Sequence, residues 1–323
     1  MGDMIGKPRT ATTLGFMLVA LAAATWASDG LFRRGLALEL PAGTVVMVEH
    51  VILVAITLPL LIRAVPVTRT FSLRDWMSLV TIGAGASALA TVLFTQAFAH
   101  GDPNTPLLLQ KLQPLFAIGG ATLLLGEKLL PRFGIYLVCA LVGAFLVTFP
   151  SPTGVSISAF TPAALSVAAA GLWGFGTVLG RHLTAKVEFA SLTALRFAVG
   201  LPATVAIVLF QDGGAALSTI GARDVLALTL LALIPGLLGL LLYYRGLRET
   251  PASAATLAEL AFPLSAITIN YLAFEATLAT AQWIGVLVLT ATITAMGLAT
   301  SRGTRAIGIE LTASKVAEEP ARA

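Results

Sequence analysis

Charge is scarce in this chain: Asp, Glu, Lys and Arg make up 11% of its 323 residues, less than half of the roughly 25% usual in soluble domains. That scarcity excludes an ordinary water-soluble globule. Cysteine is almost missing, with Cys139 alone, so no disulfide framework can form. The three histidines lie far apart and offer no metal-ligand spacing, so no metal or other cofactor is expected. Basic residues are scattered through short loops rather than gathered on one face, which argues against nucleic acid as a partner despite the net charge of +4. No phosphate-binding loop is present; "GFGTVLG" around Gly176 and Gly180 fits no dinucleotide turn, and its two glycines, four apart, read instead as a smooth helix face for close packing. ATP hydrolysis is therefore not expected, and a gradient must supply any energy.

What the chain does have is apolar length. Hydrophobic residues make up 57% of it, in runs of roughly 18 to 23, the length that crosses a ~30 Å hydrocarbon layer. Ten such runs centre near Ala22, Ala55, Ala88, Leu115, Leu141, Ala169, Gly200, Leu233, Ser265 and Thr290. None alternates as a barrel strand does, and backbone in lipid must bond internally, so the expectation is an all-α membrane protein of ten transmembrane helices. "AAATWA" in the first run resembles a signal-peptide cleavage site, but nine more runs follow and the first is read as a retained helix.

Loop charges set the orientation. With the N-terminus inside, fifteen basic residues fall on the cytoplasmic side and three, Arg33, Arg34 and Arg223, on the other. Both termini are thus expected in the cytoplasm, with the chain multi-pass in a bacterial inner membrane. Residues 1–13 form the N-terminal segment and 301–323 a polar tail expected to be disordered.

The interior is duplicated. Trp26 and Trp173 lie 147 residues apart, Pro103 and Pro251 148, Glu127 and Glu275 148, and Pro114 and Pro263 149. Five spans per half, an odd number, would turn the second copy (159–300) upside down relative to the first (14–150), an inverted-repeat plan suited to alternating access. "LLQKLQPLFAIGGATLLLGEKL", with "GIYLVCALVGAFLV" after it, and "ETPASAATLAELAFPLSAITINYLAFEATLATAQWIGVLVL" resemble the paired EamA repeats of the drug/metabolite transporter superfamily; "ALRFAVGLPATVAIVL" is similar to that family's Arg-Phe pattern. The resemblance covers roughly residues 14 to 300 and implies a secondary transporter without naming its cargo. Two departures stand out: Glu49 in "MVEHVILVA", where the pattern would place an Arg, and Phe274 in place of Gly before Glu275.

Asp29, Glu49, His50, Lys111, Arg196 and Glu259 are the ionisable residues inside spans. Each charge costs on the order of 3 kcal/mol at mid-membrane, so they must be paired, neutral or wet. At the repeat offset Glu49 falls on Arg196, and Lys111 on Glu259, an acid against a base each time. The expectation is that both pairs line one central cavity, the alternative being fixed struts between helices. Pro114 frees the carbonyl of Gln110 and Pro263 that of Glu259, which makes both prolines candidate hinges beside a hydrated site. Trp26 and Trp173 are candidate cavity walls; Gln96, Tyr243, Tyr244, Gln113 and Asn270 candidate hydrogen-bonders; His50 a candidate relay. Glu127 and Glu275 read as caps at span ends.

A cavity holding acids and bases would suit a small zwitterion such as an amino acid, exported with proton coupling through Glu259 or Glu49. An intramembrane enzyme would need a nucleophile with its base, and none is visible. A non-transporting sensor or scaffold is the other alternative. The tenth span, "QWIGVLVLTATITAMGL", could pack in a homodimer or face lipid.

Overall fold

A computed structural model describes residues 13–126, 129, 132–151, 157–184, 186–249 and 258–318. The segment before Thr13, Glu127, Pro251, the side chain of Tyr244 and the last five residues fall outside that description. Every regular element among the described residues is helical. Eight helices are long and apolar enough to cross a bilayer: α1 (Thr13–Glu39), α2 (Ala42–Thr68), α3 (Leu73–Phe98), α4 (Asn104–Leu124), α6 (Ser158–Gly180), α7 (Phe189–Asp212), α8 (Ala222–Tyr243) and α10 (Thr280–Ala299). Two more are apolar but short, α5 (Phe133–Thr148) and α9 (Ala261–Phe274), at 16 and 14 residues. At a rise of about 1.5 Å per residue they reach only about 24 and 21 Å. Ten apolar helices thus stand where ten spans were expected, but only eight have full crossing length.

The last helix does not stop at the membrane edge. It runs unbroken from Thr280 to Glu318, through the segment expected to be a disordered tail. Its sequence explains this: "TASKVAEE" is built of good helix formers, and no proline interrupts until Pro320.

Irregularities recur at matching places in the two halves. Both α3 and α8 carry a π-helical stretch, Thr81–Leu89 and Ala232–Leu238, the second around Pro235. The carbonyls that the prolines of α4 and α9 release are taken up locally. Gln110 O accepts from Gln113 N–H in a 3₁₀ turn, and Glu259 O accepts from Phe262 N–H at 3.0 Å. The expected hydrated carbonyl beside each proline is therefore replaced by a tighter i,i+3 bond, because a 3₁₀ turn satisfies the orphan without water. Pro114 then opens the following helix near its first turn, where a missing N–H costs nothing.

Helix pairing is cross-linked between halves. α2 packs on α7, α5 on α10, α1 on α8 and α9, and α6 on α3 and α4. Exchanging each helix with its partner one repeat away returns the same set of pairings. Small residues make the crossings close: a Cβ on Gly143 would lie 2.8 Å from Leu289 N, and one on Gly285 2.8 Å from Gly143 O. Of the two glycines expected to smooth α6, Gly176 does face Ala86 closely, whereas Gly180 faces open space. The outer surface is apolar, with Leu123, Phe210 and Leu272 each at least 75% exposed, as a lipid-facing wall requires. Trp283, Ile284 and Leu287 form such a face on α10, opposite its packed side.

Glu275 caps α9 in the left-handed region (φ 53°), the role that Gly126 plays for α4 (φ 68°). The cap has moved one residue along because Phe274 replaced the glycine. A left-handed non-glycine residue costs roughly 1–2 kcal/mol, so Glu275→Gly should raise the melting temperature of the purified protein by a few degrees. A fall would show that the carboxylate does more than cap.

Candidate functional site

The first buried charge cluster gathers around Arg33, which loop counting had assigned to the far aqueous side. The regular helical bonding of α1 is interrupted at Ser28, where Thr25 and Ser28 hydroxyls bond back to the Leu21 and Thr25 carbonyls. Its second part, Asp29–Glu39, carries Arg33 inward to 2% exposure. The guanidinium donates to both oxygens of Asp29, at 2.6 and 2.8 Å, to Thr95 Oγ1 at 2.7 Å and to Glu49 Oε2 at 3.2 Å. Glu49 therefore pairs with Arg33 and not with Arg196, contrary to the repeat-offset expectation. Arg196 lies on α7 with its guanidinium 5.8 Å from the Phe197 ring. The offset relates positions by symmetry, and symmetry-related side chains meet only if both point to the axis. The spacing of Asp29 and Arg33, four apart on one helix, was the signal available in the sequence.

The second cluster holds Lys111 and Glu259. Both line one cavity of about 40 Å³ with Leu260, Pro263, Thr290, Ile293 and Thr294. The ammonium stands 3.9 Å from the centre of the Phe262 ring, and Glu259 Oε1 accepts from the Tyr243 hydroxyl at 2.9 Å. Tyr243 in turn packs on Trp26, ring centres 4.9 Å apart, and Gly239 leaves room for that indole. Trp26, Trp173 and Phe262 share a core with Phe94, Phe98 and Leu107, in which Trp173 meets Phe94 edge-on at 5.1 Å. The cation and anion thus sit at the rim of a wall of aromatic rings. A cavity of this size holds about one or two waters, not a metabolite.

The other candidates disperse. His50 is buried, with Nδ1 on Val46 O at 2.9 Å and Nε2 on Ser87 Oγ at 3.2 Å, a satisfied hydrogen-bonder between α2 and α3. Gln96 turns to His100 at the helix end, and Gln113 donates to Thr177 Oγ1, tying α4 to α6. Gln110 sits in the 3₁₀ turn next to Lys111. Asn270 Nδ2 donates to Asn104 Oδ1 at 2.9 Å, linking α9 to α4. Asn104 also donates to Asp102, whose carboxyl is pushed upward by burial against the bonds from Asn104 and Thr105. Arg34 donates to Gly101 O close by. At the opposite end Asp75 is fully buried, takes Lys186 Nζ at 2.5 Å and His182 Nε2 at 3.0 Å, and closes a capping box with Ser72. Neither Asp75 nor Arg33 was singled out from the sequence, because each stood near a span end where a solvated charge is the ordinary reading.

A larger groove of about 800 Å³ between α4, α5 and α6 is almost wholly apolar, lined by Phe116, Phe145, Phe149, Phe160 and Phe175 among others. It carries no charge and lies apart from both clusters.

Comparison with known proteins adds to this geometry. The sequence matches the profile of the EamA-like transporter family twice, over residues 13–149 and 161–298. It is 32% identical over 259 residues to the riboflavin transporter ImpX of Fusobacterium nucleatum, covering 77% of this chain and 86% of that protein. It is 26% identical over 219 residues to a riboflavin transporter of Brucella anthropi, covering 68% and 74% respectively. A solved crystal structure, 18% identical, aligns with a TM-score of 0.58 over 88% of this chain and 97% of that one, a likeness of fold alone.

Proposed function

The chain belongs to the EamA-like transporter family and is a multi-pass membrane transporter rather than an enzyme, and from that premise we propose that it carries riboflavin, or a closely related planar heteroaromatic, across the bacterial inner membrane. The carrier works by alternating access between two inverted five-helix repeats, with both termini in the cytoplasm. Orientation draws further support from Arg33: once it leaves the far-side loops, only Arg34 and Arg223 remain there against fifteen cytoplasmic basic residues.

The observation that carries the substrate is the aromatic wall with one polar rim. Once the cavity widens in the transport cycle, Trp26, Tyr243 and Phe262 present ring faces to a flat tricycle, while Lys111, Glu259 and the Tyr243 hydroxyl present a donor and acceptors to its edge. Two relatives named riboflavin transporters support the same class. The zwitterion reading asked for a cavity holding acids and bases; Lys111 and Glu259 share one, and the relatives named above are not amino acid carriers by name. Direction, expected above as export, is set in a secondary carrier by the gradient imposed and not by the fold.

Uptake of labelled riboflavin into proteoliposomes tests the proposal: unlabelled riboflavin should compete and amino acids should not. Competition by amino acids alone would overturn it. Phe262→Leu should raise KM for riboflavin about tenfold, the loss of roughly 1.4 kcal/mol of ring contact. Lys111→Glu should abolish uptake, and Lys111→Glu with Glu259→Lys should recover part of it. A double variant no better than Lys111→Glu alone would show that the two charges act separately.

A further inference from the structure

We propose that Glu49 takes up and releases the coupling proton of this carrier, with Asp29 and Arg33 as its fixed counter-charge. The proposal rests on the transport reading above and deepens it by choosing between the two carboxylates considered from the sequence.

The bonds on Arg33 are unequal. Its Nε and Nη2 form a fork on both oxygens of Asp29, at 2.6 and 2.8 Å, and this fork is saturated. Nη1 makes the remaining contacts, one N–H toward Thr95 Oγ1 at 2.7 Å and the other toward Glu49 Oε2 at 3.2 Å, the longest of the four bonds. One guanidinium is therefore asked to neutralise two carboxylates in a site where Arg33 is 2% and Glu49 6% exposed. An excess buried charge is costly, and a proton on one carboxyl removes it. Asp29 uses both oxygens as acceptors, so Glu49, held by one long contact, is the group that can exchange the proton while its other oxygen keeps Arg33.

Among the described residues the neighbourhood supplies no rival. On α2, His50 is committed to Val46 and Ser87. From α3 comes the neutral Thr95, and from α7 the cation Arg196 beside Phe197. Arg223 and Asp224 of α8 stand at that helix's outer start, Asp224 capping Gly221. Glu259 has a partner set of its own in Tyr243 and the Lys111 cavity. One repeat later, at the offset of 147 that joins Trp26 to Trp173, Asp29 and Glu49 become Gly176 and Arg196, so neither position carries an acid in the second half. Exchange at Glu49 carries one proton per cycle. The step is carboxylate plus proton to carboxylic acid, with Arg33 cationic throughout and no bond made to substrate.

The test uses the full chain in proteoliposomes with riboflavin as probe. One proton per substrate predicts about tenfold accumulation per unit of inward pH gradient. Glu49→Gln, fixed in the neutral form, should lose that stimulation yet retain measurable riboflavin counterflow. Gradient-driven accumulation that survives Glu49→Gln overturns the proposal. A second readout needs no substrate: infrared difference spectra across a pH titration should show a protonated-carboxyl stretch that disappears in Glu49→Gln and persists in Glu259→Gln. Absence of such a band from the unmodified protein, or its loss in Glu259→Gln instead, also overturns it. Absent counterflow in the unmodified protein would count against riboflavin as cargo, and the infrared result would still decide the proton site.

Discussion

Arg33→Leu should be among the most damaging single changes in this protein. It leaves buried Glu49 and partly buried Asp29 without the cation that both now use, and removing one partner of a buried ion network costs roughly 3–5 kcal/mol. Thermal unfolding in detergent should then fall by about 10 °C, taking roughly 2–4 °C per kcal/mol for a chain of this size, and transport should be lost. The triple variant Arg33→Leu, Asp29→Asn, Glu49→Gln removes the stranded charges as well and should recover most of the stability without transport. A melting point for Arg33→Leu within about 2 °C of the unmodified protein would mean that water reaches the cluster and screens it.

Gly285→Val is expected to be worse for the fold, for a reason that has nothing to do with charge. A Cβ there would lie 2.7 Å from Val147 N and 2.8 Å from Gly143 O, both backbone atoms of α5 that no rotamer change can move. Overpacking costs about 1–3 kcal/mol where side chains can yield; here two helices must part. The same crossing is fastened by Gln282 Nε2 on Val147 O at 3.0 Å, a buried bond that separation would break. The variant should run as aggregate on size exclusion. Gly119→Ala, whose Cβ would meet nothing within 4 Å, is the matched control and should behave as the unmodified protein. A monodisperse Gly285→Val would show that α5 and α10 can slide apart without loss.

The site was only partly readable beforehand. Lys111 and Glu259 could be placed in one cavity from the repeat offset, because each stands three or four residues before the proline of its repeat, Pro114 or Pro263. The offset failed for Glu49 and Arg196, which lie on two helices packed side by side yet turn to different neighbours. Tyr243 could be named, but its bond to Glu259 and its stacking on Trp26 could not, since they join α8 to α9 and to α1.

Composition and spacing by themselves determined that this chain lives in a bilayer, roughly where its apolar helices centre, that its two halves are copies, and that its few buried charges cannot stand alone. Those conclusions follow from local costs: the length of hydrocarbon to be crossed, the backbone bonds that must close within a segment, and the energy of an ion out of water. Which acid meets which base was decided by tertiary structure alone. Arg33, counted with an aqueous loop, lies in the core on the helix that follows Ser28, and a partner is chosen by direction and distance in space, which no offset along the chain contains.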